Sequence, residues 1–277
     1  MSGILYLVGT PIGNLEDITY RAVRILKEAD IILCEDTRVT KKLVMHYEIE
    51  TPLKSYHEHN QAKVTEDIIE LLSNGNDIAL VSDAGLPLIS DPGYELVVIA
   101  RDKGIKVETV PGANAALTAL MTSGISSYSF LFDGFLPRKD NEKKERLISI
   151  MSLPHTIIIY ESPFRVKHTL ETIQKIDSER KVSISRELTK KFEQVETDTV
   201  SNLLLRLDED IKLKGEFVIV IAGSSGDNDV NWWSELSIEG HVNHYVKEGM
   251  RNKDAIKQVA LDREMKKNEV YQIYHVD

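Results

Sequence analysis

The 277-residue chain contains one cysteine, Cys34, and no long hydrophobic run. A single cysteine excludes an intrachain disulfide, and no apolar stretch is long enough to span a bilayer. After Met1 the chain enters a strand-like run without the basic segment and cleavage site of a signal peptide. We therefore expect a cytoplasmic protein with no membrane partner.

Several motifs of common enzyme classes are also missing. No cysteine or histidine cluster has zinc spacing, and no G-x-S-x-G hydrolase motif occurs. The loop Gly9–Asn14 lacks the Lys-Ser/Thr ending of a P-loop and does not match G-x-G-x-x-G. His57 and His59 are two residues apart, which fits a metal pair, but surface loop histidines explain them more commonly. We therefore expect no metal site.

The chain is acidic, with 34 Lys and Arg against 44 Asp and Glu and a net charge of −10. This balance argues against nonspecific coating of nucleic acid, although it allows a local basic groove. A hydrophobic content of 42% is typical of a globular protein with sizeable cores, and the length suits two domains.

The first 120 residues alternate apolar runs with helical patterns. Strands are predicted at Ile4–Val8, Ile31–Leu33, Leu53–Tyr56, Ile78–Val81 and Lys106–Val110. Helices are predicted over residues 19–28, 40–46, 60–72 and 92–101, and from residue 111 onwards. Repeated βα units with apolar strands predict a mainly parallel sheet that is covered on both faces.

The segment after residue 120 has a similar but less regular pattern. Strands are predicted at Phe130–Phe132, Ile157–Tyr160, Lys181–Glu187 and Phe217–Ala222. Helices are predicted over residues 164–176 and 199–207, and the polar residues 137–145 are interpreted as a charged segment. We predict an N-terminal α/β domain over residues 1–120 and a C-terminal α/β domain over residues 121–224.

The last part of the chain begins with a polar, glycine-containing run that is typical of a flexible linker, placed at residues 225–232. Residues 233–247 and 253–276 have helical spacing. A three-helix appendage of helix-turn-helix type and a helical tail docked on the body fit residues 233–277 equally well.

Val81–Gly93 is the most informative stretch of the chain. The strand ending at Val81 leads into a loop with Gly85, which permits close approach of a ligand. Asp91 occupies an expected N-cap and Pro92 the first helical position. An ordinary βα turn uses the same residue types, so this stretch alone does not establish a ligand loop.

Polar clusters follow four predicted strands, at Glu35–Arg38, Ser82–Asp83, Glu161–Pro163 and Arg186–Lys190. Each cluster taken singly is explained by capping and ion pairing. Together on one face of a sheet they would form a cleft, the usual ligand site of α/β proteins.

Six motifs occur together in a fixed order. They are Gly9–Leu15, Glu35–Arg38, Val81–Gly93, Gly134–Pro137, Glu161–Pro163 and Arg186–Lys190. With these motifs the chain closely resembles the bacterial 16S rRNA (cytidine-2′-O)-methyltransferase family, within the tetrapyrrole (corrin/porphyrin) methylase superfamily. The resemblance extends from about Ile4 to Ala222 and includes the helical tail. Two departures are Leu86, where the family usually has Thr, and Phe164, where it usually has His.

The resemblance implies two α/β domains with S-adenosyl-L-methionine in the cleft between them. It also implies a homodimer that acts on 16S rRNA or the small ribosomal subunit, at a ribose in the decoding region. The implied cofactor-binding residues are Ser82, Asp83, Ala84, Gly85, Ile89, Pro111, Gly112, Ala113, Ser127, Tyr160 and Glu161.

A base within hydrogen-bond reach of the ribose hydroxyl is also required. The five catalytic candidates are Glu35, Asp36, Glu161 and Glu187 as the base, and Lys190 as an electrostatic partner. Candidates for binding RNA phosphates are Arg38, Arg138, Lys139, Arg165 and Arg186. The neighbouring Lys143 and Lys144 are interpreted as solvated charges. The helical appendage is a further candidate for docking RNA.

Two alternative functions remain open. One is a small-molecule, tetrapyrrole-type C-methyltransferase, which labelled cofactor offered to porphyrin precursors and to RNA would distinguish. The other is a nucleic-acid-binding regulator with a degenerate α/β body, which would bind RNA but not the cofactor. The clusters Glu35–Arg38 and Arg186–Lys190 and the helical tail favour an RNA substrate.

Overall fold

The computed structural model describes residues 2–57, 60–207, 209–224, 233, 236–247, 249–263 and 265–275. It contains two compact units, Met1–Gly223 and Ser224–Asp277. The predicted linker at residues 225–232, and His59 of the predicted histidine pair, lie outside the described residues.

The first unit begins with a parallel five-stranded sheet. Its strands are β1 (Ile4–Val8), β2 (Ile31–Cys34), β3 (Leu53–Ser55), β4 (Ile78–Val81) and β5 (Lys106–Val110). They pair in the order β3-β2-β4-β1-β5, and every pairing is parallel. The prediction of a parallel sheet from repeated βα units is confirmed.

Helices cover this sheet. They are α1 (Tyr20–Glu28), α2 (Thr37–His46), α3 (Gln61–Ser73), α4 (Tyr94–Asp102) and α5 (Ala115–Thr122). Polar caps fix several starts: the side chains of Thr19, Asp36 and Asn114 accept hydrogen bonds from the first turns of α1, α2 and α5. The Asp36 cap starts α2 three residues before the predicted Thr40.

The predicted start of α4 is wrong. The helix begins at Tyr94, so Asp91 and Pro92 lie in the preceding loop and do not cap it. Gly93 occupies the cap position with a φ of 127°, and a Cβ there would lie 2.7 Å from Leu80 Cδ2. This φ is outside the helical range and is readily adopted only by glycine. The helix therefore starts after Gly93.

A second, mixed sheet follows. Its strands are β6 (Phe130–Phe135), β7 (Thr156–Glu161), β8 (Lys181–Arg186), β9 (Gln194–Thr199) and β10 (Phe217–Ile221). They pair in the order β6-β7-β10-β8-β9, with β6 and β7 parallel and the other pairs antiparallel. Its helices are α6 (Asp140–Met151), α7 (Val166–Ile176) and α8 (Val200–Arg206).

Helix α6 was not among the predicted elements, and the environment of Lys143 differs from the predicted one. The predicted charged segment forms the first turns of α6, and Lys143 is only 1% exposed, with its Nζ 3.4 Å from Asp140 Oδ1. The interpretation of Lys143 as a solvated charge is therefore wrong, because its long apolar stem is packed into the protein. Lys144 is exposed, as expected.

Helix α5 joins the two sheets of the first unit. Its residues Ala116 and Leu120 pack in one apolar cluster with Ile158 of β7 and Val218 of β10. The cluster also contains Ile12, from the loop after β1. The two α/β halves thus share a core, which explains why residues up to Gly223 form one compact unit.

The second unit is helical. Its helices are α9 (Ile238–Lys247), α10 (Asn252–Asp262) and α11 (Lys267–His275). They enclose a small core around Val242, Ile256 and Val270. The helical spacing predicted over residues 253–276 is divided between α10 and α11, so the described residues of this unit form the three helices of the predicted appendage. Among the described residues, no helix has the length and hydrophobicity that a membrane crossing requires.

Candidate active site

A cleft of about 420 Å³ opens between the two halves of the first unit. From the first half, its lining includes Ile12, Asn114, Ala115 and most of residues 83–91. From the second half come Phe135, residues 160–163, Ser185, Leu188 and residues 215–218. This volume falls within the range of about 300–1,000 Å³ that is typical of small-molecule sites.

Two loops are joined at the base of the cleft. Thr10 N donates to Gly85 O at 2.8 Å, and Gly85 N donates to Thr10 O at 3.2 Å. The φ of Gly85 is 88°, and a Cβ there would lie 3.3 Å from Ile12 Cγ2 and 3.4 Å from Ala113 O. The backbone conformation therefore favours glycine at this position, and the space around it leaves a Cβ in tight contact with Ile12.

The structure brings together six of the eleven predicted cofactor-binding residues. Asp83, Ala84, Gly85, Ile89, Tyr160 and Glu161 line the cleft. The other five, Ser82, Pro111, Gly112, Ala113 and Ser127, are outside its lining. Gly112 instead packs closely against Gly9, because a Cβ on it would lie 2.8 Å from Gly9 Cα. Ser127 is exposed.

Acidic groups gather at the Gly85 loop, residues 82–91. Burial and, to a smaller extent, the charges of Glu35 and Asp83 together raise the pKa of Asp91 to about 6, against the opposing effect of a hydrogen bond with Ser82. Burial also raises the pKa of Asp83, whose Oδ1 accepts a hydrogen bond from Asp36 N at 3.1 Å. The sequence predicted only helix capping for Asp91, whereas Asp91 lines the cleft.

The candidate Asp36 has a different environment. Its carboxylate accepts hydrogen bonds from Arg38 Nε and Nη2 at 2.6–3.1 Å and from Arg38 N at 2.8 Å. These hydrogen bonds lower the pKa of Asp36 to about 2. Glu35 is exposed beside it. The Asp36 carboxylate is thus committed to capping α2 and pairing with Arg38.

Glu161 is a buried anchor at the end of β7. Its carboxylate accepts hydrogen bonds from Thr169 Oγ1 at 2.8 Å and from Ser162 N at 2.9 Å, and Arg165 Nε lies 3.4 Å away. Arg165 also donates to the carbonyls of Leu136 and Pro137, at 3.1 and 2.8 Å. Glu161 and Arg165 therefore fix β7 to the β6–α6 connection.

Glu187 and Lys190 form an ion-pair cluster with Glu216. Lys190 Nζ lies 3.0 Å from Glu187 Oε1 and 2.9 Å from Glu216 Oε2. Burial alone would raise the pKa of Glu187, but hydrogen bonds from Lys190 and from the Glu216 N–H outweigh burial and lower it. For the Lys190 ammonium, burial acts to lower the pKa, and its two carboxylate partners raise it instead.

The predicted RNA-binding cations fall into two groups. Arg38, Arg138 and Lys139 are exposed, with Arg38 paired to Asp36 and Lys139 to Glu142 at 2.8 Å. Arg165 is engaged as described, and Arg186 Nε donates to Lys214 O at 2.6 Å. The first group is accessible to solvent, and the second holds loops together. Among the described residues, no cluster of three or more His, Cys, Asp or Glu could hold a metal ion.

The fold and its inter-sheet cleft define a class of protein. The family model for tetrapyrrole (corrin/porphyrin) methylases matches residues 4–204, and the chain belongs to this family. A solved structure of uroporphyrin-III C-methyl transferase from Thermus thermophilus, complexed with S-adenyl homocysteine, has the same fold with a TM-score of 0.56. It is 18% identical, and the match covers 79% of this chain and 97% of that one.

More similar relatives are ribosomal RNA enzymes by name. The chain is 51% identical over 277 residues to the "Ribosomal RNA small subunit methyltransferase I" of Bacillus subtilis, covering 99% of this chain and 94% of the relative. It is 50% identical over 275 residues to the protein of the same name from Halalkalibacterium halodurans, covering 99% and 95%. These matches include the helical second unit as well as the α/β body.

Proposed function

We propose that the chain transfers a methyl group from S-adenosylmethionine to the ribosomal RNA of the small subunit, at the ribose 2′-hydroxyl of a cytidine in the decoding region. The observation that carries the proposal is the 51% identity, over essentially the whole chain, to a relative named for small-subunit rRNA methylation. The cleft supports it, because a site of this size and composition suits a nucleoside cofactor.

The residues of the cleft fit S-adenosylmethionine, which supplies an electrophilic methyl group on a sulfonium when bound. The Gly85 loop lines the cleft and permits close approach of a ligand, because Gly85 has no side chain. Asp83 and Asp91 place negative charge where a cationic ligand would be stabilised. Phe135, Tyr160 and Phe217 offer an apolar wall for an adenine ring.

The proton of the ribose hydroxyl needs an acceptor, and the pKa values rank the candidates. The lowered pKa values of Asp36 and Glu187 make them weak bases. Glu161 already accepts two hydrogen bonds close to the backbone it anchors. Asp91 joins the five sequence candidates, because a pKa of about 6 in the cleft suits proton transfer near neutral pH.

RNA binding is assigned to the exposed cations of the body and to the helical unit. A groove on α10 and α11 carries lysine, asparagine and aromatic side chains. It is lined by Asn252, Lys253, Ile256, Lys267, Asn268, Tyr271 and His275. Proteins commonly bind single-stranded RNA with cationic side chains and an aromatic side chain on which a base stacks. The described lining residues of this groove include no carboxylate. We also propose a homodimer, which sedimentation measurements test.

A methyl-transfer assay with two substrate arms tests the function. Purified protein receives labelled S-adenosylmethionine and either small subunits lacking the modification or porphyrin precursors. We expect label in the RNA, at a ribose 2′-oxygen of one cytidine, and none in the porphyrin. Label only in the porphyrin would favour the C-methyltransferase alternative. RNA binding without cofactor binding would favour the regulator.

A further inference from the structure

Lys190 makes a contact between the two halves of the body that its charge does not explain. The residue follows β8 in the second half, and its stem lies against Gly13, in the loop after β1. A Cβ on Gly13 would lie 2.5 Å from Lys190 Cε and 2.6 Å from its Cγ. The loop after β1 therefore fits against the lysine only because residue 13 has no side chain.

The ammonium of Lys190 is fixed at the other end of the same side chain. It is held by Glu187 Oε1 at 3.0 Å and Glu216 Oε2 at 2.9 Å, and Glu187 Oε1 also accepts from Glu216 N at 3.0 Å. Gly215 is required here too, because a Cβ on it would overlap the Glu187 carboxylate. The ammonium of Lys190 thus pairs with Glu187 and Glu216 and orders these residues, and it is not presented to a substrate.

Contacts lead from Gly13 to the base of the cleft. Ile12 and Leu188 belong to the same apolar cluster, so buried side chains of both loops contribute to one core. Two residues earlier, Thr10 exchanges backbone hydrogen bonds with Gly85. A displacement of the loop after β1 would therefore move the Gly85 loop, and both Ile12 and Leu188 line the cleft.

We propose that Lys190 is a positioning residue that clasps the loop after β1 against the β8–β9 turn and so holds the Gly85 loop in its binding position. The proposal rests on the proposed function, since it concerns the cleft that would take S-adenosylmethionine. It separates Lys190 from the catalytic candidates. Lys190 acts through Gly13 and Thr10 and does not touch the reacting atoms.

Two readouts on the full chain test the clasp. Calorimetry measures binding of S-adenosylmethionine without RNA, and hydrogen exchange measures protection of residues 10–14 and 187–193 without cofactor. Lys190→Ala removes both stem and charge, and Lys190→Met keeps most of the stem. The control is Lys191→Ala, because Lys191 is exposed at the next position.

We expect Lys190→Ala to weaken cofactor binding roughly tenfold, as a misplaced loop would, and to speed exchange in both segments. Lys190→Met should retain protection at residues 10–14 better than Lys190→Ala, because its stem still covers Gly13. Lys191→Ala should match wild type in both readouts. In steady state, the loss in Lys190→Ala should fall on the KM for cofactor more than on kcat.

Other outcomes overturn the clasp. Unchanged cofactor affinity with a collapsed kcat in Lys190→Ala would make Lys190 catalytic, and unchanged affinity and exchange would leave it without a positioning role. If Lys190→Ala fails to fold, the test rests on Lys190→Met, which lacks the charge but keeps most of the stem. Hydrogen exchange around Glu187 at the wild-type rate in Lys190→Met would contradict the role of the ion pair in the clasp. If wild type binds no S-adenosylmethionine, the proposed function fails, while the exchange comparison still tests the clasp.

Discussion

Thr10 and Gly85 exchange two backbone hydrogen bonds, of 2.8 and 3.2 Å, where the loops after β1 and β4 meet. Both loops lie at the carboxyl ends of adjacent parallel strands. This junction forms the base of a cleft that the second sheet closes from the other side. The cleft thus lies at the carboxyl ends of the parallel strands, where α/β proteins usually bind ligands. The second half of the body supplies its other wall.

Gly85→Ala should weaken cofactor binding by calorimetry and lower stability in thermal unfolding. Its φ of 88° costs a non-glycine residue roughly 1–2 kcal/mol, and the added Cβ would lie in tight contact with Ile12, 3.3 Å from its Cγ2. Gly104→Ala is the matched control, with a φ of 71° and nothing within 4 Å of the added Cβ. We expect it to lose comparable stability and keep wild-type cofactor affinity. If Gly85→Ala and Gly104→Ala bind the cofactor with equal affinity, Gly85 is not part of the cofactor site.

Asp91→Asn should stabilise the cofactor-free protein at neutral pH. A folded-state pKa of about 6, above the ordinary 3.8, means that folding favours the protonated acid. Wild type therefore loses stability as pH rises from about 4 to about 6, on the order of 1–2 kcal/mol, and the variant does not.

Denaturant unfolding at a series of pH values measures this difference. The stability gap between Asp91→Asn and wild type should widen up to about pH 6 and then stay level. Asp102→Asn, at the exposed end of α4, should follow wild type at every pH. A gap that does not change with pH would show that Asp91 ionises normally.

Lys143→Ala should destabilise the body. The side chain is 1% exposed and packs its stem under α6, so truncation leaves a cavity that costs about 2 kcal/mol or more. Lys144→Ala, one position along the same helix and exposed, should change stability by less than about 0.5 kcal/mol. If both variants lower the stability in urea unfolding by the same small amount, Lys143 behaves as a surface charge.

Tyr271→Ala should weaken RNA binding without affecting S-adenosylmethionine. Loss of one base–aromatic stack, which contributes about 1–3 kcal/mol, corresponds to roughly fivefold or more in affinity. Lys253→Ala and Lys267→Ala should reduce the salt dependence of RNA binding. Lys247→Ala, exposed at the end of α9, is the control. Filter binding of a decoding-region RNA measures all four, and wild-type affinity in Tyr271→Ala would exclude this groove.

The first sheet was the most predictable part of the fold. Strands such as Ile78–Val81 are buried along their whole length, so an unbroken apolar run identifies them. Strand β9 was missed because all six of its residues are half-buried and only Val195 is apolar, as suits the edge of a sheet. Helix α6 was missed because its first turns are charged and its buried Lys143 carries no apolar signal.

The candidate site was predictable only as a set of loops. Motif order placed Asp83–Gly85 and Tyr160–Glu161 in the right region, and the structure brings them to one cleft. The environment of Asp91 depends on Glu35 and Asp83, which approach it only in the folded chain. Pro92 predicted a helix start at residue 92. The φ of Gly93 is not helical, so the helix begins only after Gly93. The partners of Lys190 are likewise set by tertiary packing.

A crystal structure of the full chain with S-adenosylmethionine tests the central claim most directly. The account predicts the cofactor in the cleft between the two sheets, in contact with the backbone of residues 83–85 and beside the Asp91 carboxyl group. A cofactor bound anywhere outside this cleft, or a cleft that stays empty in crystals grown with saturating cofactor, would contradict it.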